Sequence, residues 1–419
     1  MPAWSELTIE QCCTRVTSGG TPRRNNPDFY RGGTVPWVKT GELKDSVIDP
    51  SAIEEWITEE AIRDSSAKVL PRDTVLMAMY GDGRTIGSLG LVRSPVSCNQ
   101  ACCAMIPNPD ICDAQFLFYA IRYYRDAWIK IAHGGAQRNL SGSIIRQRKI
   151  AVPSLPIQKR IASILGAYDD LIEVNRRRIT VLEEIARRLF DEWFVRFRFP
   201  GHESCSRIET PDGPMPEGWQ VSRIGDLTSF LSRGITPTYD ANASSLVINQ
   251  KCIRNQRLSL TEARTQSKAV PEDKVVLAGD VLVNSTGVGT LGRVAQAEEV
   301  PPGITVDSHV TIVRAGAQLN RDFFGLALLR MEPMFERLGA GATGQTELNR
   351  GRIADQVLIM PPANLQSEFG LHARPIRSLA FKLAKQNYAL AESRDILLPR
   401  LVSGELSISS AVRELEAVA

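Results

Sequence analysis

The chain has 419 residues, 43% of them hydrophobic and 23% charged, with a formal net charge of +3. At roughly 100–200 residues per domain this predicts two or three domains and excludes a disordered or collagen-like chain. The small net charge means that bulk electrostatics do not mark a polyanion binder. Apolar runs such as residues 111–120 are broken by Cys112, Asp113 and Gln115, far short of the ~20 apolar residues of a spanning helix. The N-terminus shows neither a basic nor an apolar leader region, so the expected location is the cytoplasm. The eight cysteines include no C-x-x-C, and the four histidines are not spaced as zinc ligands, so reduced, mostly buried thiols are expected.

From the N-terminus onward the chain repeats itself. Trp4-x4-Ile9 leads to Gly19-x-Thr21-Pro22, and Trp219-x4-Ile224 leads to Gly234-x-Thr236-Pro237 at an offset of 215. Pro36-Trp37-Val38-Lys39-Thr40 has a looser echo in Leu246-Val247-Ile248-Asn249-Gln250. Asp73-Thr74-Val75-Leu76 before Ile86-Gly87-Ser88-Leu89-Gly90 returns as Asp280-Val281-Leu282-Val283 before Val288-Gly289-Thr290-Leu291-Gly292. Gln137, Leu140, Pro153 and Gln158 return as Gln345, Leu348, Pro361 and Gln366 at an offset of 208. Kept order across all blocks indicates internal duplication.

Each copy opens with a strand- and turn-rich part, with short apolar strands such as 75–79, 281–283 and 310–313. One helix is expected within each, at 114–131 and 321–338. A long helix of about 40 residues, or roughly 60 Å, closes each copy. In the first, Ile157, Ile161, Ile164, Tyr168, Leu171, Leu182, Ile185 and Leu189 follow a coiled-coil grid that also includes Asn175. That asparagine either fixes register in the seam or sits at a solvated edge. In the second, Ile376, Leu379, Leu383, Leu390 and Leu397 repeat the pattern, ending near Pro399 and Gly404. The simplest partner for each seam is the other helix, run antiparallel.

Chemistry-bearing motifs are sparse. Gly287-Val288-Gly289-Thr290-Leu291-Gly292 fits G-x-G-x-x-G, but the following Arg293-Val294-Ala295-Gln296 reads as strand, whereas a dinucleotide or S-adenosylmethionine loop should open a helix. There is no P-loop, no Asp/Asn-Pro-Pro-Tyr/Phe, no H-E-x-x-H and no G-x-S-x-G. The chain reads as non-catalytic, with no cofactor or metal of its own. Acid-free polar stretches remain. One lies between Asp126 and Asp169 and contains Gln137-Arg138-Asn139; another lies between Asp240 and Glu262; Arg23-Arg24-Asn25-Asn26 is a third cluster. These residue types contact phosphates and base edges. Candidate DNA-binding residues are Arg23, Arg24, Lys39, Arg84, Gln137, Arg138 and Asn139 in the first copy. In the second they are Arg233, Asn249, Gln250, Lys251, Arg254, Gln345, Asn349 and Arg350.

Four stretches carry a resemblance to a known family. They are Gly19-Gly20-Thr21-Pro22 with Val35–Leu43, Ile150–Gln158 running into the long helix, Leu182–Phe194, and Leu397–Leu406. On these the chain resembles the specificity subunits of type I restriction-modification systems. The resemblance implies an α+β architecture, with two pseudo-two-fold-related α/β target-recognition domains separated by two long antiparallel coiled-coil helices. Laid on this sequence, it implies recognition domains at 1–153 and 219–363, a central helix at 154–199, a linker at 200–218, a C-terminal helix at 364–405 and a tail at 406–419. It also implies double-stranded DNA as ligand, read as an asymmetric two-part site. Two modification subunits would use S-adenosylmethionine, and restriction subunits would use ATP and Mg. Ile172, Val174, Trp193, Phe194 and Phe197 are candidate docking positions for them. The rival readings are a self-contained S-adenosylmethionine-dependent DNA methyltransferase using the 287–292 loop, and a helical scaffold that never touches DNA.

Overall fold

Val75-Leu76-Met77-Ala78 is apolar at every position, a pattern a strand adopts when both its faces are covered. The computed structural model, which describes residues 4–81, 85–130, 138–211, 213–339 and 347–406, shows that arrangement. Packing divides the chain into two units, Met1–Val174 with Gln386–Ala419, and Asn175–Lys385. Both long helices, Leu155–Phe190 and Ala363–Val402, contribute a stretch to each unit.

In the first unit a five-stranded sheet runs in the order 13–18, 102–107, 75–78, 89–92, 46–48. All its pairs are antiparallel except the last. Val75 and Met77 point to a core shared with Phe116, Leu117 and Ile121 of the helix Ala114–Lys130. Leu76 and Ala78 point the other way, to Val38, Leu43 and Ile48. A three-stranded sheet (56–57, 35–38, 97–98) flanks that second face, and strand 5–8 pairs with 149–152.

The second unit rebuilds this plan. Its main sheet runs 228–233, 310–315, 281–284, 294–296, its small sheet 264–266, 245–248, 305–306, and strand 220–223 pairs with 357–360. The matching elements stand at the offsets read from the sequence. The inner helix departs from expectation. The span 321–338 is two helices, Arg321–Arg330 and Glu332–Gly339. Pro333 has no N–H to bond backward, and its ring would collide with the carbonyl four residues earlier, so the first helix stops before it.

The repeated glycine of G-x-T-P has a steric cause. Gly19 and Gly234 lie against the carbonyls of Cys98 and Val306, where a β-carbon would stand 2.2 and 1.8 Å from the oxygen. The following amides, of Gly20 and Ile235, donate to those same carbonyls at 2.9 and 3.0 Å. The repeated glutamine is equally constrained. Gln158, fully buried, donates to the carbonyls of Pro153 (2.8 Å) and Ile111 (2.9 Å) and accepts from the Asp113 amide (2.8 Å). Gln366 donates to Pro361 (2.9 Å) and accepts from the Asn320 amide (3.1 Å). Each glutamine ties the first turn of a long helix to the segment that launches the inner helix of its own unit.

Within the first unit the two helices run antiparallel. Asp169 pairs with Arg394, the Asn387 side chain donates to the Ile172 carbonyl at 3.2 Å, and Ile161 and Leu165 share a core with Leu397, Leu401 and Val402. Gly404, at φ +78°, closes the second helix. In the second unit Ala186 and Phe190 meet Phe369 and Ala373.

The buried stripe of the first helix is Ile161, Leu165, Ile172, Asn175, Ile179, Ala186 and Phe190, whereas Leu171 and Ile185 are exposed. It keeps the seven-residue spacing of the grid from Leu165 through Ile172 and Ile179 to Ala186, but this row lies one residue along from the expected one, while Ile161 and Asn175 stay where the grid puts them. Asn175 is buried in it, not at a solvated edge. The helix then loosens into a π turn at Asp191–Val195. Trp193 and Phe194 there enter the core of the second unit with Phe323 and Phe369. They and Ile172 are therefore core residues and not docking positions, and Phe197 packs on Trp219 at 5.2 Å. Of that set, Val174 alone is exposed. The stretch expected as a linker, 200–218, holds a hairpin pairing 207–210 with 213–216.

Two substitutions test this frame by chemical denaturation. Gln158→Leu strands an amide and two carbonyls and should cost about 2–4 kcal/mol. Gly234→Ala forces a β-carbon onto a backbone oxygen and should cost a similar amount, about 2–4 kcal/mol.

Candidate nucleic-acid interface

Arg24 and Lys39, expected to be free for DNA, belong to one cation corner. The Arg24 guanidinium lies 4.7 Å from the Trp37 ring centroid and 5.0 Å from that of Tyr30, and it pairs with Glu55. Lys39 Nζ stands 2.9 Å from Glu54 and 3.0 Å from Glu55. Trp37 Nε1 and Tyr30 Oη donate to the carbonyls of Gly20 (3.0 Å) and Pro22 (2.7 Å), so the corner also holds the G-x-T-P loop. Hydrogen bonding from Arg24, then from Lys39, lowers the Glu55 carboxyl below its ordinary value. In the second unit the corresponding place carries different chemistry, with Arg264 stacked 3.4 Å from the Tyr239 ring centroid. Arg23 is exposed.

The other candidates separate into those that build the fold and those that are exposed. Asn249 is buried; it caps the turn 250–252 through the Lys251 amide (2.9 Å) and donates to the Glu262 carbonyl (2.6 Å). Gln250 donates to the carbonyl and hydroxyl oxygens of Thr286 (3.1 and 2.9 Å), fastening the glycine-rich loop. Lys251 and Arg254 are exposed. Arg254 stands on a tight hairpin whose turn residues, Asn255 and Gln256, are both left-handed (φ 52° and 59°), the geometry two-residue hairpins favour. Arg138 and Asn139 pair through their backbones with Gly81 and Tyr80. Arg84, Gln137 and Gln345 lie outside the described residues.

The glycine-rich loop connects strand 281–284 to strand 294–296, with Gly287, Gly289 and Gly292 at positive φ. A strand follows it, as expected, where the dinucleotide fingerprint requires a helix. Among the described residues no group of His, Cys, Asp and Glu is placed to hold a metal ion, and no helix is long and apolar enough to cross a membrane. The cysteines are free and mostly buried, and burial raises the thiols of Cys103 to about 12 and Cys252 to about 11.

Arg233, Asn349 and Arg350 come together. They line a cleft of about 290 Å³ with Ser232, Gly234 and Lys274. The first unit has a cleft of about 490 Å³ in the corresponding place, between strand residues 16–18 and Ser141-Gly142, with Tyr80, Gln100 and Arg146 on its walls. Ser18 and Gly142 hold there the positions of Arg233 and Arg350. Lys274 and Arg146 escaped the sequence reading. Lys274 follows two acids, and Arg146 lies in the acid-free stretch between Asp126 and Asp169 without standing out from its neighbours; only the folded chain brings each to its cleft.

Comparison with known proteins agrees with the duplicated architecture. Residues 1–184 match the family described as type I restriction modification DNA specificity domain. This is the family that the sequence motifs resemble. Across 94% of this chain and 91% of the relative, the sequence is 26% identical to the MjaIX specificity subunit of Methanocaldococcus jannaschii. It is also 26% identical to the EcoR124I/EcoR124II specificity subunit of Escherichia coli, over 45% of this chain and 47% of that one. The fold is similar to the type I S subunit from M. genitalium, with a TM-score of 0.60, 15% identity and 96% of each chain covered.

The cation corner should respond to acid with a definite sign. Because the folded state lowers the Glu55 pKa, its contribution is complete above the ordinary value of 4.5 and is lost as pH falls through the lowered one. Denaturation from pH 7 to pH about 3 should show a loss that Glu55→Gln lacks.

Proposed function

We propose that this chain is the sequence-specificity subunit of a type I restriction-modification complex, without catalytic activity of its own. It reads an asymmetric, two-part duplex DNA site, one half-site per unit. The carrying observation is that one backbone plan is built twice with different side chains at corresponding places: Arg24–Glu55 against Arg264–Tyr239, and Ser18 and Gly142 against Arg233 and Arg350. Two readers on one plan can recognise two unlike half-sites. The strand that follows the glycine-rich loop supports placing S-adenosylmethionine on two modification subunits rather than on this loop; ATP and Mg would be used by restriction subunits, as the resemblance implies. Leu171, Val174, Val181 and Ile185 are exposed along one face of the first long helix and supply an apolar surface for a modification subunit.

Methylome sequencing of a host expressing the chain with a modification subunit should return a single asymmetric two-part motif carrying methyladenine. A palindromic motif or none overturns the reading. So does methyl transfer to DNA by the purified chain alone with labelled S-adenosylmethionine, which would indicate a self-contained methyltransferase.

A further inference from the structure

We infer that the cleft of the second unit is a phosphodiester site, holding a backbone phosphate of the bound DNA between Arg233, Lys274 and Arg350. The inference rests on the DNA-reading function proposed above and specifies what this cleft contributes to it. The polar side chains lining the cleft chiefly offer donors. Arg233 is braced from behind by Glu347 (2.6 Å) and the Leu348 carbonyl (3.4 Å), and Lys274 Nζ by the Gly234 carbonyl (2.9 Å). Both keep further N–H groups for a ligand, since a guanidinium has five donors and an ammonium three. The side-chain oxygen of Asn349 is occupied by the Arg352 amide at 2.9 Å. Three cations share the cleft; Glu347 offsets part of the charge of Arg233, and no carboxylate is among the described residues that line the cleft itself. An acceptor-only anion suits such a site, whereas a base edge would leave the cations mutually repelling.

The duplication supplies an internal control. The same plan in the first unit folds with Ser18 and Gly142 where the second has Arg233 and Arg350. The two arginines are therefore not required by the fold. In the first unit Arg146 is the one basic side chain among the described residues lining the cleft, and it already donates to the Val16 carbonyl at 3.1 Å. The cationic lining thus belongs to the second unit's ligand.

The test uses the full chain with its modification partner, titrated with a duplex carrying the methylated motif and with an unrelated duplex at several salt concentrations. Arg350 is exposed, so Arg350→Ala is not expected to disturb folding. It should weaken binding to both duplexes by about the same factor, roughly 3- to 10-fold, and lower the slope of log affinity against log salt by about one. The motif should stay unchanged, and Arg350→Lys should restore most of the binding. Unchanged affinity and salt slope in Arg350→Ala would overturn the phosphate site while leaving the DNA-reading function intact. Relaxation of the motif at one base position would also overturn it, by marking Arg350 as a base reader. Failure of the unaltered complex to bind either duplex would overturn the function itself, and the inference with it.

Discussion

A buried glutamine at the root of each long helix is the constraint on which the rest of the structure depends. Gln158 and Gln366 each sit in the first turns of a helix that leaves the sheet region, and each is surrounded by backbone groups with no other obvious partner. An amide is well suited to this place because it donates and accepts at once. It closes on the carbonyl five residues before it and on the segment ahead of the inner helix. A long helix attached by one covalent link could pivot. Fastened at its base to a second segment, it leaves its unit in one direction, and the side chains along it meet their neighbours in one register.

That register is visible in what packs along the helices. Arg394 is almost wholly buried, yet it pairs with Asp169, which also accepts from Tyr119 Oη at 2.6 Å. In the second unit Arg377 meets Glu298 at 2.8 Å and Asp322 at 3.6 Å. Buried ion pairs add little net stability, but breaking one leaves an uncompensated charge, so they penalise misregister heavily. The aromatic group of Phe190, Trp193, Phe194 and Phe369 adds the apolar part, with ring centroids 4.8–5.9 Å apart among Phe190–Phe369, Trp193–Phe369 and Phe194–Phe369.

The duplication, the strand pattern and both long helices were legible in the sequence because each rests on local periodicity or on direct self-comparison. The roles of Gly19 and Gln158 were visible only as repeated letters; their reasons lie in contacts with Cys98 and Asp113, far along the chain. One row of the seam shifted because apolar residues stand side by side at 164–165, 171–172 and 185–186, and the same heptad can be entered at either member of each pair. Trp193 and Phe194 read as surface because they fall off the grid set by Leu182, Ile185 and Leu189, whereas they stand three and four residues beyond Phe190 on the face that is buried. The candidate site was the least legible part. Asn249, Gln250, Arg24 and Lys39 have the polarity of DNA contacts, but each is engaged in holding a turn, a loop or a corner in place.

This engagement reconciles a net charge of +3 with the DNA-reading role proposed above. Many of its basic side chains are neutralised internally, so the sum over the chain says little about the field at any one place. What a ligand meets is the residue of that cancellation, and in the second unit part of it, carried by Lys274 and Arg350, lines one cleft. Duplication makes such concentration tolerable. The backbone plan is secured by apolar faces, two glycines and two glutamines that both copies share. Gly234 apart, the cleft lining lies outside that set, so Arg233 and Arg350 can differ from Ser18 and Gly142 while the plan is kept. A recognition protein built this way can alter one half of what it reads and leave the other half untouched.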